Sequence, residues 1–252
     1  MAKHLGRRWR KKLGPGDVTP CFMWTPPRTG TRFYTVVVTN HPQVKFACHL
    51  RVAWEGKANF VPDATKALIR GHVAWEHVFG VEGSSKWPNQ GRQRKVAARI
   101  HKLMLAEPFV ATLRCPLRAT ITHSFAAKRY DQLRVAISTL AVARQAHRED
   151  VVLLPINDNP MREPRFRDAL RLWGLDATDK YMDMVRREWQ RPIGSVSGTQ
   201  RVADRAAMYD QRDLAALRDV GFGKTIDFLR EYEDEIRPVL EDAGYTDLPW
   251  YT

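Results

Sequence analysis

Cysteine is scarce in this chain of 252 residues: Cys21, Cys48 and Cys115 are the only three. None forms a Cys-x-x-Cys pair and the number is odd, which argues against a disulfide framework and against a cysteine-only zinc site. A reduced, intracellular chain is the expectation that follows. Long apolar runs are missing too. No stretch approaches the roughly 18 residues that a membrane-spanning helix requires, and no apolar signal core follows the basic N-terminus. A cytoplasmic location is therefore expected. The Walker A pattern G-x-x-x-x-G-K-[ST] is absent, and no metal-ligand spacing is evident. Gly221-Phe-Gly-Lys-Thr225 looks like a truncated phosphate loop, but it lacks the preceding strand and the spacing. Acidic residues are in deficit: 28 Asp and Glu face 41 Lys and Arg, for a formal net charge of +13.

That excess favours anionic partners, among them nucleic acids, phosphorylated cofactors and acidic polymers, without choosing between them. Hydrophobic residues make up 44% of the chain and eight residues are Trp, enough to build a core and to exclude a disordered chain. The N-terminal residues 1–16 read as a basic, flexible tail, dense in Lys and Arg between Lys3 and Lys12. A sharper reading gives that tail an electrostatic contact with nucleic acid or another polyanion. Residues 17–252 are expected to form a single domain.

Apolar segments alternate with helical ones. Val18 to Thr25 reads as a strand that stops abruptly at Pro26-Pro27-Arg28-Thr29-Gly30-Thr31-Arg32. Phe33 to Thr39 is ambiguous: its β-branched residues favour a strand, whereas its place after a phosphate-gripping loop favours a helix. Val44 to Ala53 reads as a strand and Ala64 to Phe79 has helical spacing. Gly80 to Gly91 reads as a loop, Lys95 to His101 as a short strand and Phe109 to Leu113 as another. A helical region, Leu117 to His147, is broken near Tyr130-Asp131. Val151 to Ile156 is a continuous apolar run, as in a buried parallel strand. Helices follow at Pro164 to Trp173, stopped by Gly174, and at Asp179 to Trp189. Arg191 to Thr199 is a basic Gly/Ser loop, and Asp204 to Ala243 is charged and helical. This order predicts a three-layer αβα fold around a central parallel sheet.

The Thr25–Arg32 loop carries the clearest chemistry. Gly30 allows close backbone approach, consecutive N–H groups before a helix can cradle an anion, Thr29 and Thr31 offer hydroxyls, and Arg28 and Arg32 offer permanent charge. Pro27-Arg28-Thr29-Gly30-Thr31 resembles the Pro-(Lys/Arg)-Ser-Gly-Thr loop of sulfotransferases. Ala111-Thr-Leu-Arg-Cys-Pro-Leu-Arg-Ala-Thr-Ile-Thr-His-Ser124 resembles that family's second motif, a strand ending in Arg-x-Pro followed by a helix bearing a Ser eight residues after the Arg. Arg114 and Pro116 match; Thr122 stands at the eighth position and Ser124 lies two further on. Lys95-Val-Ala-Ala-Arg-Ile-His101 is similar to the family's strand ending in a catalytic His. Val151 to Ile156 with Pro164 to Leu175 follows the order of a later strand and helix, and Ala243-Gly-Tyr-Thr-Asp-Leu-Pro-Trp250 echoes the family's C-termini.

The resemblance implies a P-loop NTPase-like sulfotransferase fold and an enzyme that moves a sulfuryl group from 3′-phosphoadenosine 5′-phosphosulfate to a hydroxyl or amine acceptor. It leaves 3′-phosphoadenosine 5′-phosphate as product. Pro27, Arg28, Thr29, Gly30, Thr31 and Arg32 would then grip the 5′ end. Arg114, with Thr122 or Ser124, would grip the 3′-phosphate. Arg28 would offset charge on the leaving group and His101 would act as general base, with His49 and His72 as competitors. The alternative is a basic nucleic-acid- or polyanion-binding protein with the same fold and no transfer activity.

Overall fold

The computed structural model describes residues 19–49, 66–72, 102–126, 133–156, 163–190 and 209–251. In chain order its strands and helices are β1 (Thr19–Thr25), α1 (Thr31–Thr39), β2 (Val44–His49), β3 (Lys66–His72), β4 (Phe109–Leu113), α2 (Pro116–Ala126), α3 (Leu133–Ala143) and β5 (Val151–Pro155). Then come α4 (Glu163–Leu172), α5 (Asp179–Gln190), α6 (Leu214–Leu217), α7 (Gly223–Glu231), α8 (Glu233–Asp242) and a terminal 3₁₀ turn (Pro249–Tyr251). The five strands form one sheet in the order β2-β3-β1-β4-β5, and every pairing is parallel. Among the described residues no helix is long and apolar enough to cross a membrane.

Strand periodicity sorts the core into two layers. Cys21 and Met23 of β1 face a core shared with Tyr34, Val38, Phe166 and Tyr181, so α1, α4 and α5 cover that side. Phe22 and Trp24 face the other core with Leu117, Ile137, Leu229 and Leu240, so α2, α3, α7 and α8 cover the opposite side. In β4, Val110 joins the first core while Phe109, Ala111 and Leu113 join the second. A sheet apolar on both faces must be sandwiched between helices, and the expected three-layer αβα architecture is what results.

Two segments depart from or resolve the sequence reading. The helix expected over Ala64–Phe79 is, in its described part, strand β3, paired on both sides by β2 and β1. A strand buried on both faces shows no polar alternation, so neighbouring apolar residues such as Leu68 and Ile69, which enter opposite cores, satisfy a helical spacing as well. Conversely, the β-branched run after the loop is helix α1, because β1 and β2 are parallel and a parallel pair needs a crossover. Its threonines return their hydroxyls to the helix itself: Thr35 Oγ1 donates to Thr31 O and Thr39 Oγ1 to Thr35 O, both at 2.7 Å. Gly174 ends α4 as anticipated, at φ 62°, with Leu175 N donating to Leu170 O (2.8 Å) and Gly174 N to Arg171 O (2.9 Å). Gly221–Thr225 is no phosphate loop: Gly221 (φ 99°) kinks a continuous helical stretch and Thr225 is buried in α7.

Candidate anion-binding site

The connections from β1 and β4 leave in opposite directions. β1 leads into α1 and back towards β2 on one side; β4 leads into α2 and on towards β5 on the other. Since β1 and β4 are neighbours, with Trp24 opposite Ala111, their carboxyl ends are the sheet's topological switch point, where such strand ends leave a crevice. Open α/β sheets bind ligands at such a switch point. The loop at residues 25–32 forms one lip and the turn at Arg114-Cys115-Pro116 forms the other.

Two residues of the loop are left-handed: Arg28 (φ 65°) and Gly30 (φ 73°). Gly30 suits this place twice over: its φ strains any residue with a side chain, and an added Cβ would stand 1.3 Å from Ile156 Cδ1 and force that side chain to move. Arg28 carries a Cβ and holds this conformation at a cost. Pro27 and Thr29 are buried while Arg28 is exposed. The Thr29 hydroxyl turns inward, donating to Pro26 O (2.7 Å) and lying 2.5 Å from Thr112 Oγ1 of β4. It therefore ties the loop to the strand, and any ligand contact from Thr29 is left to its backbone. Thr31 differs: its Oγ1 is buried and has no hydrogen-bond partner among the described residues. Helix α1 begins here with Gly30 as a cap that offers no side-chain acceptor, and no acidic residue lies in its first turn. The leading N–H groups and the positive end of the helix dipole therefore have no side-chain cap from Gly30 and no first-turn carboxylate to offset them.

Arg114 approaches from the other lip. It is half-buried, and its Nη1 donates to Arg28 O at 3.4 Å, so the two arginines expected to act at opposite ends of a nucleotide meet across the crevice. Partial desolvation by the loop lowers the Arg28 guanidinium pKa from its ordinary value, although the residue is exposed overall. A bound anion would act in the opposite sense. Cys115, next to Arg114, is buried with its Sγ 3.1 Å from Gln211 Oε1. Burial pushes its pKa up to about 11 against the pull of Arg114 and Arg118, which leaves a neutral thiol and no nucleophile.

Thr122 lies two turns into α2 and returns its hydroxyl to Arg118 O at 2.8 Å. Ser124 belongs to the same helix, two residues on. Arg32 is in the first turn of α1. His49 and His72 end β2 and β3, and His72 pairs in register with Thr25 at the edge where the crevice opens. His101, the basic loop Arg191–Thr199, the loop Gly80–Gly91 and the N-terminal tail lie outside the described residues.

Sequence reasoning missed three residues at this site. Thr112 holds Thr29. Arg118 is exposed one helical turn before Thr122, on the same face of α2. Tyr245 brings its hydroxyl, a single donor, within hydrogen-bond distance of Leu113 O at the end of β4 and of Ile156 O just past β5. The string around Tyr245 was conspicuous in the sequence, but nothing local gives it a place.

No family model matches the chain, and no curated protein matches it. Among solved structures it is similar to the crystal structure of a mouse sulfotransferase, SULT7A1, complexed with PAP, at 11% identity over 92% of each chain and a TM-score of 0.48. A likeness of that size bears no conclusion about activity, so the reading of the crevice rests on its own residues.

Proposed function

We propose that this chain is a sulfotransferase that uses 3′-phosphoadenosine 5′-phosphosulfate and acts on a hydroxyl or amine acceptor. The observation that carries the reading is the crevice itself. A helix end without a side-chain cap, a left-handed loop bearing Arg28 and a buried Thr31 hydroxyl with no partner among the described residues lie on one side of the parting of β1 and β4, and Arg114 reaches the loop from the other. Such donors and two permanent cations fit a ligand that carries more than one anionic group.

In this reading the backbone from Pro27 to Arg32, with Arg28 and the Thr31 hydroxyl, holds the 5′ end. Arg114, with Thr122 or Ser124, holds the 3′-phosphate. When bound, the cofactor supplies a sulfuryl group already joined to a good leaving group. The protein's part is positioning and charge, as in phosphoryl transfer. Arg28 offsets negative charge on the leaving oxygen. His101 takes the proton from the acceptor, which a neutral imidazole near its working pH can do.

Calorimetry with 3′-phosphoadenosine 5′-phosphate and with adenosine 5′-monophosphate tests the assignment. Arg114→Ala is expected to weaken the bisphosphate by about 1.5–3 kcal/mol, the usual loss of a charged hydrogen bond, and to leave the monophosphate nearly unchanged. Equal losses for both would remove Arg114 from the 3′-phosphate. In a transfer assay, His101→Ala should cut turnover by about 10²–10⁴-fold at unchanged nucleotide affinity; full activity would dismiss His101.

A further inference from the structure

We infer that Tyr245 is a positioning residue for the crevice: its hydroxyl clamps the carboxyl ends of β4 and β5, and through them the two lips. The Tyr245 Oη lies 2.6 Å from Ile156 O and 3.0 Å from Leu113 O. Each acceptor leads directly to the site. Leu113 is bonded to Arg114, so the direction in which that guanidinium leaves the sheet depends on where the Leu113 carbonyl is held. Ile156 fills the space beside Gly30, with its Cδ1 1.3 Å from where a Cβ at position 30 would sit. The Ile156 N–H donates to Leu113 O at 2.7 Å, which closes the triangle. One phenol oxygen is therefore tied to the residue before Arg114 and to the residue that shapes the anion loop.

The tyrosine is itself fixed from both sides. Gly244 (φ 86°) ends α8, with Tyr245 N donating to Leu240 O (2.9 Å) and Gly244 N to Glu241 O (2.8 Å), so the turn delivers the ring to the sheet edge. Downstream, Asp247 pairs with Arg212 (3.0 Å), and the buried Trp250 accepts from Arg230 Nε at its carbonyl (2.7 Å). Ile156 O lies past the end of β5, where a half-buried carbonyl needs a donor. A phenol supplies one without adding charge to a site that must keep its cations for the ligand. The inference rests on reading the crevice as the nucleotide site.

The test compares Tyr245→Phe with Tyr181→Phe in the full chain. Both variants keep the ring, and both remove a hydroxyl that donates to a backbone carbonyl; Tyr181 donates to Val37 O at 2.9 Å, within α1 and beyond its first turn. In the ligand-free protein, amide hydrogen exchange of residues 28–32 and 113–115 is expected to quicken in Tyr245→Phe and to stay unchanged in Tyr181→Phe. Affinity for 3′-phosphoadenosine 5′-phosphate is expected to fall about tenfold in the first variant and to stay within about twofold in the second, the size of one lost hydrogen bond. Unchanged exchange in Tyr245→Phe, equal changes in both variants, or quickened exchange with unaltered affinity would overturn the inference. If the unsubstituted protein bound no bisphosphate, the sulfotransferase reading would fail instead, and the exchange experiment would still decide whether Tyr245 positions the lips.

Discussion

Arg28 and Gly30 share the left-handed region for different reasons, and the difference predicts opposite outcomes on substitution. At Gly30 the demand is steric: φ is 73° and Ile156 occupies the side-chain position. Gly30→Ala should cost about 3 kcal/mol in chemical denaturation, from overpacking and backbone strain together. Arg28 meets no such wall; its φ of 65° costs about 1–2 kcal/mol, and its exposed side chain returns little packing. Arg28→Gly is therefore expected to raise stability by up to about 1 kcal/mol while weakening the bisphosphate nucleotide about tenfold, the trade-off expected where strain is kept for function. A variant that lost binding without gaining stability would show that the strain is not stored there. The same loop shows how far a site can be read from residues alone. Pro, Arg, Thr and Gly in a row announced an anion loop because each residue type has a local physical meaning. Which threonine turns inward was not local: Thr29 is claimed by Thr112, 83 positions away in sequence, and the Thr31 hydroxyl has no partner among the described residues.

At the scale of elements, α4 and α5 are joined by a charge cluster whose response to acid has a definite sign. Glu163, at the start of α4, accepts from Arg167 one turn on (2.8 Å) and from Arg186 of α5 (2.9 Å). Those two guanidinium groups pull its pKa from 4.5 to about 2. A depressed folded pKa contributes stability that is complete above about pH 4.5 and is lost as pH falls towards 2. Glu163→Gln should therefore flatten the dependence of unfolding free energy on pH across that window and leave its slope near neutrality unchanged. An unaltered acid limb in the variant would assign the loss to other carboxylates. The elements themselves were legible where pattern and context agreed. Phe109–Leu113 and Val151–Pro155 are buried strands; the helix before Gly174 stops where glycine permits a left-handed turn. They were illegible where a parallel sheet overrides local preference. Lys66–His72 looked helical because both its faces are apolar, whereas Phe33–Thr39 was ambiguous, its valines and threonines favouring a strand and its place after the loop a helix, and the crossover makes it a helix.

For the whole molecule, a net charge of +13 guarantees some attraction to any polyanion, so binding of an anion proves little until its salt dependence is known. Charges spread over a surface and charges gathered in a crevice respond differently. A nucleic acid held by six to ten exposed phosphate contacts loses about 10³–10⁵ in affinity between 50 and 200 mM salt, because each contact returns a counterion to solution. The crevice at Arg28 and Arg114 adds to its charges a helix end without a side-chain cap and a buried hydroxyl with no partner among the described residues. These directed hydrogen bonds are not screened as exposed charges are. The bisphosphate nucleotide should therefore lose no more than about tenfold over the same range, whereas single-stranded RNA, if it binds at all, should lose far more. Saturation separates the cases further. A single built site stabilises the fold by about 2.7 kcal/mol at 100 times its Kd, seen as a rise in melting temperature that follows ligand concentration. Deleting residues 1–12 should spare this stabilisation, since the Thr25–Arg32 loop and Arg114 lie elsewhere, and should reduce only the salt-sensitive binding. If nucleotide stabilisation instead vanished by 200 mM salt, or disappeared with the tail, the anion affinity would belong to the charge of the molecule as a whole and the polyanion-binding reading would take its place.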